Sequence, residues 1–254
     1  MSVLIAKDIV KIYQGIRKSN SVSALKGVSL VIDKGEFTSI MGPSGSGKTT
    51  LLNILSGIDE LTSGEIEISG KKINSMSKNE LALFRRQRLG FVFQEFNLLD
   101  SLTIKENIML PMILDNKDVD EIQNKTNTLL SLLDIFEIMD KHPYTISGGQ
   151  QQRAAICRAI INEPDIIFAD EPTGNLDSKS SNVVMKYFEK LNSSNKNTIL
   201  MVTHDPFAAS YSNRIIFIKD GQVNMELIKE GSQKVFFEKI LDCLATLGGE
   251  TDDI

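Results

Sequence analysis

A chain of 254 residues with 28 basic and 33 acidic side chains, net charge −5 and both signs interspersed, has the size of one composite domain and offers no basic footprint for nucleic acid. Its two cysteines, Cys157 and Cys243, form no C-x-x-C pair, so local spacing supports neither a zinc site nor a dithiol motif and a reducing compartment fits best. Lys7, Asp8 and Lys11 interrupt any apolar leader in MSVLIAKDIVKIY, and no stretch reaches the roughly 18 apolar residues of a spanning helix, so any membrane role is expected to run through a partner.

Up to about Ile40 the pattern predicts short strands, VLIAKDIVKIY, VSALKGVSLVI and EFTSI, punctuated by Gly27 and the turn at Asp33, Lys34 and Gly35. EFTSI runs into MGPSGSGKTT and then into the helical LLNILSGI, while GEIEISGKKI alternates across Gly70 as a second hairpin. A helix is predicted from Ser77 to Arg88 and a strand, FVFQ, from Phe91 to Gln94, before a mostly helical region to about Asp140 with Thr103 and Asp118 as N-caps. Strands and helices then alternate: DIIFAD, a helix from Ser178 to Leu191, TILMVTHD, a short helix near Phe207 to Tyr211, and RIIFIKDGQV. Apolar runs bounded by helices mark parallel strands covered on both faces. The fold class expected is α/β, a mainly parallel core with a small antiparallel β subdomain and a helical insertion.

Gly42 to Thr49 reads G-x-x-x-x-G-K-[ST] between a strand and a helix, the setting that a phosphate-binding loop requires. Across Gly42, Pro43, Ser44, Gly45, Ser46 and Gly47 the backbone N–H groups can curl around a β-phosphate, aided by the helix N-terminus. Lys48 would reach the β- and γ-phosphates, and Thr49, doubled by Thr50, would offer a hydroxyl to Mg²⁺. IIFADE ends an apolar strand in two carboxylates, and adjacent strand residues point to opposite faces, so Asp170 is expected to hold the Mg²⁺ shell and Glu171 to polarise an attacking water. His204 ends another apolar strand and should lie beside Glu171, because strand ends of a parallel sheet gather at one edge. Its expected role is to contact the γ-phosphate and position the water; a structural histidine is the alternative. Gln94 is read as a buried or capping glutamine unless context gives it more, and Tyr13 as either a core aromatic or a platform for adenine. Ser147, Gly148, Gly149 and Gln150 open a second anion-binding helix start, ISGGQQQRAAICRAI.

In their joint order Tyr13, the phosphate loop, Gln94, ISGGQ, Asp170 with Glu171, GNLD ending at Asp177, and His204 resemble the ATP-binding subunit of ABC transporters over about Leu4 to Val223. Ile146 departs from the usual leucine before the signature serine but keeps its apolar character. The resemblance implies a P-loop NTPase core and an active ATPase using ATP and Mg²⁺. It adds Gln94 to Thr49 and Asp170 as a metal ligand and as a hinge that reports nucleotide state. It also implies a head-to-tail dimer of two copies, in which Ser147, Gly148, Gly149 and Gln150 of one chain close over the nucleotide of the other.

FADEPTGNLDSKSS and FNLLDSLTIKENIMLP resemble the branch of macrolide exporters, lipoprotein-release ATPases and the cell-division ATPase. Within it MVTHDPFAASYSNRIIFIKDGQV, FFEKI and LGG are most similar to bacitracin-type antimicrobial-peptide resistance transporters. That implies an integral membrane permease docked on the helical insertion, a sensor kinase reached through it, and a cytoplasmic location on the inner face of the membrane. Envelope remodelling by a lipoprotein-release or cell-division type complex is the alternative. Residues 1–223 are assigned to the ATP-binding domain, with the helical subdomain at about 95–160, and residues 224–254 to an extension carrying a covering helix from Lys234 to Leu247.

Overall fold

The computed structural model describes residues 1–14 and 21–248. Strand β1 (Ser2–Tyr13) pairs antiparallel with β2 (Val22–Asp33) and with β4 (Ser63–Ile68), and β4 pairs with the short β5 (Lys71–Lys72). This four-stranded sheet, order β2-β1-β4-β5, is the antiparallel subdomain. A bulge at Asp8 (φ 50°) resets the inward-facing row of β1 between Ala6 and Ile9. Gly64 is the close approach that permits it: a Cβ there would stand 2.7 Å from the carbonyl oxygens of both Lys7 and Asp8.

The second sheet has the order β10-β9-β3-β8-β7-β6. Its members are β3 (Phe37–Met41), β6 (Leu89–Val92), β7 (Ile166–Asp170), β8 (Ile199–Val202), β9 (Arg214–Lys219) and β10 (Gln222–Ile228), all parallel neighbours except the antiparallel β9–β10 pair. Every residue of β3 and β8 is buried, as a strand covered on both faces requires. Side-chain alternation divides β8 between two cores: Ile199 and Met201 enter one, Leu200 and Val202 the other. The first core lies against α3 (Ile104–Leu114), α4 (Val119–Leu132), α5 (Gly148–Ile160) and α6 (Ser178–Asn195); the second lies against α1 (Lys48–Leu55), α2 (Lys78–Arg88) and the antiparallel sheet.

Most predicted elements are present with small shifts of boundary. Ser77, Thr103 and Asp118 cap α2, α3 and α4 with their side chains, the first two in reciprocal boxes with Glu80 and Glu106. The strand expected over Phe91–Gln94 instead spans Leu89–Val92, because its pairing with β7 ends there and the Phe93 carbonyl is taken by the buried side chain of Gln152. RIIFIKDGQV is not one strand but a hairpin, turning at Asp220 (φ 52°) and Gly221 (φ 79°), two successive left-handed residues.

Strand β10 therefore runs through position 223 to Ile228, so the assigned boundary at residue 223 falls inside a paired strand. After β10 comes α8 (Gln233–Gly248), which contains the expected Lys234–Leu247 helix; Gly249 of the LGG run and the rest of the extension to residue 254 lie outside the described residues. Phe236, Ile240 and Leu247 of α8 form a third buried cluster with Met41, Ala209, Ile215 and Phe217. Phe236 is fully buried, so Phe236→Ala is expected to destabilise the chain by about 3–5 kcal/mol, transfer and cavity terms together. Urea unfolding measures it, and a change below about 1 kcal/mol would mean that α8 rests only loosely on the sheet.

Candidate nucleotide site

The loop between β3 and α1 curls under close packing. A Cβ on Gly42 would stand 2.0 Å from the Ile218 carbonyl oxygen, and one on Gly47 (φ 97°) would stand 2.6 Å from that of Ala24. Neither position admits a side chain without moving backbone. The Lys48 ammonium donates to the carbonyls of Gly42 and Pro43, both at 2.9 Å, which folds the side chain back along the loop. Ser46 is buried and its hydroxyl has no hydrogen-bond partner among the described residues. A buried hydroxyl left unpaired is unfavourable by itself, and this one stands immediately before Gly47, the N-cap of α1.

Asp170, the last residue of β7, accepts from the Thr49 hydroxyl at 3.4 Å. Burial first, then the neighbouring Glu171 carboxylate, push the Asp170 pKa above the ordinary carboxylate range, against the opposing pull of Thr49 and Lys48. Burial lowers the Lys48 pKa, and the negative charges of Glu171 and Asp170 oppose that shift. Thr49 and Asp170 thus present two hard oxygen donors within reach of one another, the donor chemistry that Mg²⁺ takes when its remaining positions go to phosphates and water. The residues present fit both a nucleoside phosphate and its metal.

Glu171 does not continue the pleat of β7. It has left the strand in a left-handed conformation (φ 46°), while its amide still donates to the Val202 carbonyl of β8 at 2.9 Å. Separation of the two carboxylates therefore comes from this bend and not from strand alternation. The Glu171 carboxylate accepts from the His204 amide at 3.1 Å and stands 2.8 Å from His204 Nδ1. Its side chain is only 15% exposed, whereas that of His204 is 72% exposed. A water held between this carboxylate and a phosphate would meet a base already oriented by the neighbouring strand end.

Lys48, Thr49, Asp170, Glu171 and His204 are thus brought to one edge of the parallel sheet. Gln94 is hydrogen-bonded to Asn175: its side-chain amide donates to Asn175 Oδ1 at 3.2 Å and its main-chain carbonyl accepts from Asn175 Nδ2 at 3.1 Å. No hydrogen bond among the described residues joins it to Thr49 or Asp170. Tyr13 stands at the open end of β1, 42% exposed, its hydroxyl donating to Asp59 at 2.8 Å and its ring 4.6 Å from the Lys11 ammonium. It is not a core residue.

Ser147 caps α5 in a reciprocal box with Gln150, and its hydroxyl and the backbone of Gly148 and Gly149 form an exposed to half-buried helix start. A Cβ on Gly149 would stand 3.0 Å from Ser180, and one on Gly148 would stand 3.3 Å from Leu176, so this start is packed against the GNLD loop. Asp177 closes that loop by capping α6, accepting from the Ser180 amide and hydroxyl, and these bonds hold its pKa low. Among the described residues no hydrogen bond links Ser147–Gln150 to the phosphate loop of the same chain.

Three supporting residues escaped the sequence reading. Gln152 is fully buried and donates to the Phe93 carbonyl at 3.2 Å and the Pro172 carbonyl at 2.5 Å, joining the segments that carry Gln94 and Glu171. Its signal was available, since positions 152, 155, 156 and 159 are one apolar helical face on which a glutamine stands alone. Arg158 donates to the carbonyls of Phe96 and Asn97, two left-handed residues after Gln94. Asn175, the third, lies within GNLD and is the partner of Gln94.

A family model described as ABC transporter matches residues 25–174. The chain belongs to the ABC transporter family. Over their whole lengths this ABC ATPase and the bacitracin export ATP-binding protein BceA of Halalkalibacterium halodurans are 50% identical, and it is 50% identical to the ABC transporter ATP-binding protein YxdL of Bacillus subtilis, covering 100% of this chain and 97% of that one. Among solved structures, a dimer of the cassette MJ0796 bound to ADP and phosphate superposes with a TM-score of 0.82 at 42% identity, covering 90% of this chain and 100% of that one; the cassette is from Methanocaldococcus jannaschii. The family assignment and this superposition confirm the P-loop NTPase fold and make the chain an ATP-binding, ATP-hydrolysing subunit.

The raised Asp170 pKa sets a pH dependence for the ABC ATPase without nucleotide. Because the folded-state pKa lies above the unfolded one, folding is penalised at every pH above the raised value, and the penalty disappears as pH falls through it to the ordinary carboxylate range. Asp170→Asn is accordingly expected to raise the thermal midpoint at neutral pH, with the gain shrinking in acid. Melts from about pH 4 to 8 test this; a midpoint below wild type at pH 7 would contradict the penalty assigned to the charged carboxylate.

Proposed function

We propose that the chain is the motor of a peptide-resistance transporter of the bacitracin and lantibiotic type. It would work on the cytoplasmic face of the membrane through an integral permease, with a sensor kinase reached by way of that permease. The observation that carries this reading is the identity of 50% with the bacitracin export protein across 100% of both chains, the extension beyond β10 included. Among the described residues no helix is long and apolar enough to cross a membrane, so translocation would be the work of the partner.

In the mechanism proposed, the backbone N–H groups from Gly42 to Gly47, with the Ser46 hydroxyl, take the phosphates, and Lys48 leaves its loop carbonyls for the β- and γ-phosphates. Tyr13 stacks on the adenine. Thr49 and Asp170, with Gln94 as a further ligand, would hold Mg²⁺. The metal when bound supplies charge neutralisation at the phosphates. Glu171 accepts the proton of the attacking water, and His204, tied to that carboxylate through its amide and ring, keeps water and γ-phosphate in line.

Ser147, Gly148, Gly149 and Gln150 act on the nucleotide of a second copy. Support comes from the absence of any hydrogen bond between this helix start and its own phosphate loop among the described residues, and from the dimeric structures of the similar MJ0796 cassette. A two-fold axis supplies both halves to both sites. ATP then favours the closed dimer because it binds that state better, and loss of the γ-phosphate releases it.

The permease would seat an amphipathic cytoplasmic helix in a groove of about 450 Å³ between the catalytic core and the helical insertion. Phe91, Phe93, Leu110 and Leu114 line it with apolar surface, and Arg85 and Arg158 line it with guanidinium groups. Phe93 precedes Gln94 directly, and Arg158 holds the loop that follows it. Motion of Gln94 away from Asn175 would therefore reach the occupant of the groove.

A heterodimer of one Ser147→Arg chain and one Lys48→Ala chain is expected to keep one complete composite site and about half of the wild-type ATPase, with each homodimer inactive. Lack of turnover in a verified heterodimer would refute completion in trans. A strain lacking this subunit is expected to become more susceptible to bacitracin-like or lantibiotic peptides and to regain resistance from the wild-type gene but not from Glu171→Gln. Unchanged inhibitory concentrations across those peptides would count against peptide resistance and leave the envelope-remodelling class as the better account.

A further inference from the structure

The extension after β9 is joined by two side chains to the short helix that follows His204. Helix α7 (Pro206–Ala209) begins at Asp205, whose carboxylate caps the Phe207 amide at 2.8 Å, and ends at Ser210. Ser210 is buried, and its hydroxyl donates to the Phe207 carbonyl at 2.7 Å. The Ser210 carbonyl accepts from the Lys229 ammonium at 3.0 Å, and the Ser210 hydroxyl accepts from Gln233 Nε2 at 3.0 Å. Lys229 follows β10 and Gln233 opens α8, so both donors come from the part of the chain that carries no catalytic motif.

Each donor is held in place. The Lys229 amide donates to the Asn213 carbonyl at 2.8 Å, which anchors its backbone to the segment leading into β9. Its ammonium is 5.9 Å from the Phe236 ring, and burial lowers its pKa against the opposing charge of Glu189. A cation at the C-terminal end of a helix meets the negative end of the backbone dipoles and the carbonyls that the helix leaves unpaired. Here the helix is a single turn, too short to persist by itself. Its two ends are fixed by Asp205 on one side and by Lys229 and Gln233 on the other.

At the N-terminal end of that turn, the Asp205 amide donates to the Thr203 hydroxyl at 3.0 Å, so His204 lies in a bracketed backbone between β8 and α7. The His204 amide and ring then meet the Glu171 carboxylate. We infer that Lys229 and Gln233 are positioning residues for His204: the extension braces α7 from its C-terminal end and thereby fixes the imidazole and the carboxylate that it orients. The extension is on this account a part of the hydrolytic machinery and not merely a cover for the sheet edge. This inference rests on the role of His204 proposed above.

The test is steady-state ATP hydrolysis by the full chain carrying Lys229→Met, Lys229→Arg, Gln233→Ala, His204→Ala, or His204→Ala with Lys229→Met, each with its urea midpoint. Lys229→Met is expected to lower kcat about five- to tenfold while KM for ATP changes less than about twofold, because the phosphate loop that binds nucleotide is untouched. Lys229→Arg should restore most of kcat, and Gln233→Ala should give a smaller loss in the same direction with a near-native midpoint. The double variant should be no slower than His204→Ala alone, the coupling expected when one group acts through the other. Losses that multiply in the double variant overturn the inference, as does wild-type kcat in Gln233→Ala and Lys229→Met beside an impaired His204→Ala. Wild-type kcat in His204→Ala would instead remove the role of the histidine itself. Should Lys229→Met fail to fold, Gln233→Ala decides between these outcomes.

Discussion

The register between β7 and β8 is the constraint from which the site follows. Asp170 stands opposite Val202, and the next amide, that of Glu171, still donates to the Val202 carbonyl after the chain has turned left-handed. That one bond delivers Glu171 to the residue two places beyond Val202, which is His204, and leaves Asp170 facing Thr49 across the phosphate loop. A slip of one residue would exchange the faces of every side chain in β7 and separate both pairs at once. Full burial of β3 and β8 makes such a slip unfavourable, since each alternating side chain is already committed to one of two cores.

Charge makes the same edge uneasy. Two carboxylates and an ammonium are drawn out of water at the strand ends, and the directions of the Asp170 and Lys48 shifts show that burial dominates both. Nucleotide phosphates and a divalent cation are the natural counterparts: Lys48 would exchange two neutral carbonyls for anionic oxygens, and Asp170 would exchange a repelling neighbour for a cation. The unpaired Ser46 hydroxyl points the same way. An arrangement that is electrostatically incomplete by itself is suited to tight binding of what completes it.

Connections to that edge are made by polar side chains, one of them, Gln152, inside otherwise apolar packing. Gln152 ties the carbonyls of Phe93 and Pro172 together, Arg158 holds Phe96 and Asn97, and Asn175 pairs with Gln94 at two points. The buried Gln152 amide acts here as a fixed joint, because breaking its bond leaves the Pro172 carbonyl unpaired away from water, whereas the Gln94–Asn175 pair lies at the exposed surface. The loops that carry Gln94, Glu171 and the signature start are consequently members of one network, and the groove between core and insertion adjoins it.

Local chemistry in the sequence by itself determined the elements whose signals are short-range. The glycine-rich loop, the caps at Ser77, Thr103, Asp118 and Ser147, and the apolar runs of β7 and β8 each report a local backbone preference, so the α/β class and the ends of most helices were legible. The joint order of the motifs was legible for the same reason, and with it the family. Tertiary structure alone decided what depends on the meeting of distant segments. It turned Glu171 out of its strand, gave Gln94 to Asn175, ended β6 at Val92 because Gln152 claims Phe93, and folded RIIFIKDGQV into a hairpin that carries Lys229 and Gln233 to Ser210. Apart from that hairpin, whose Asp220–Gly221 turn is itself a local signal, these partners are distant in sequence from the residues they govern, and no local periodicity records them.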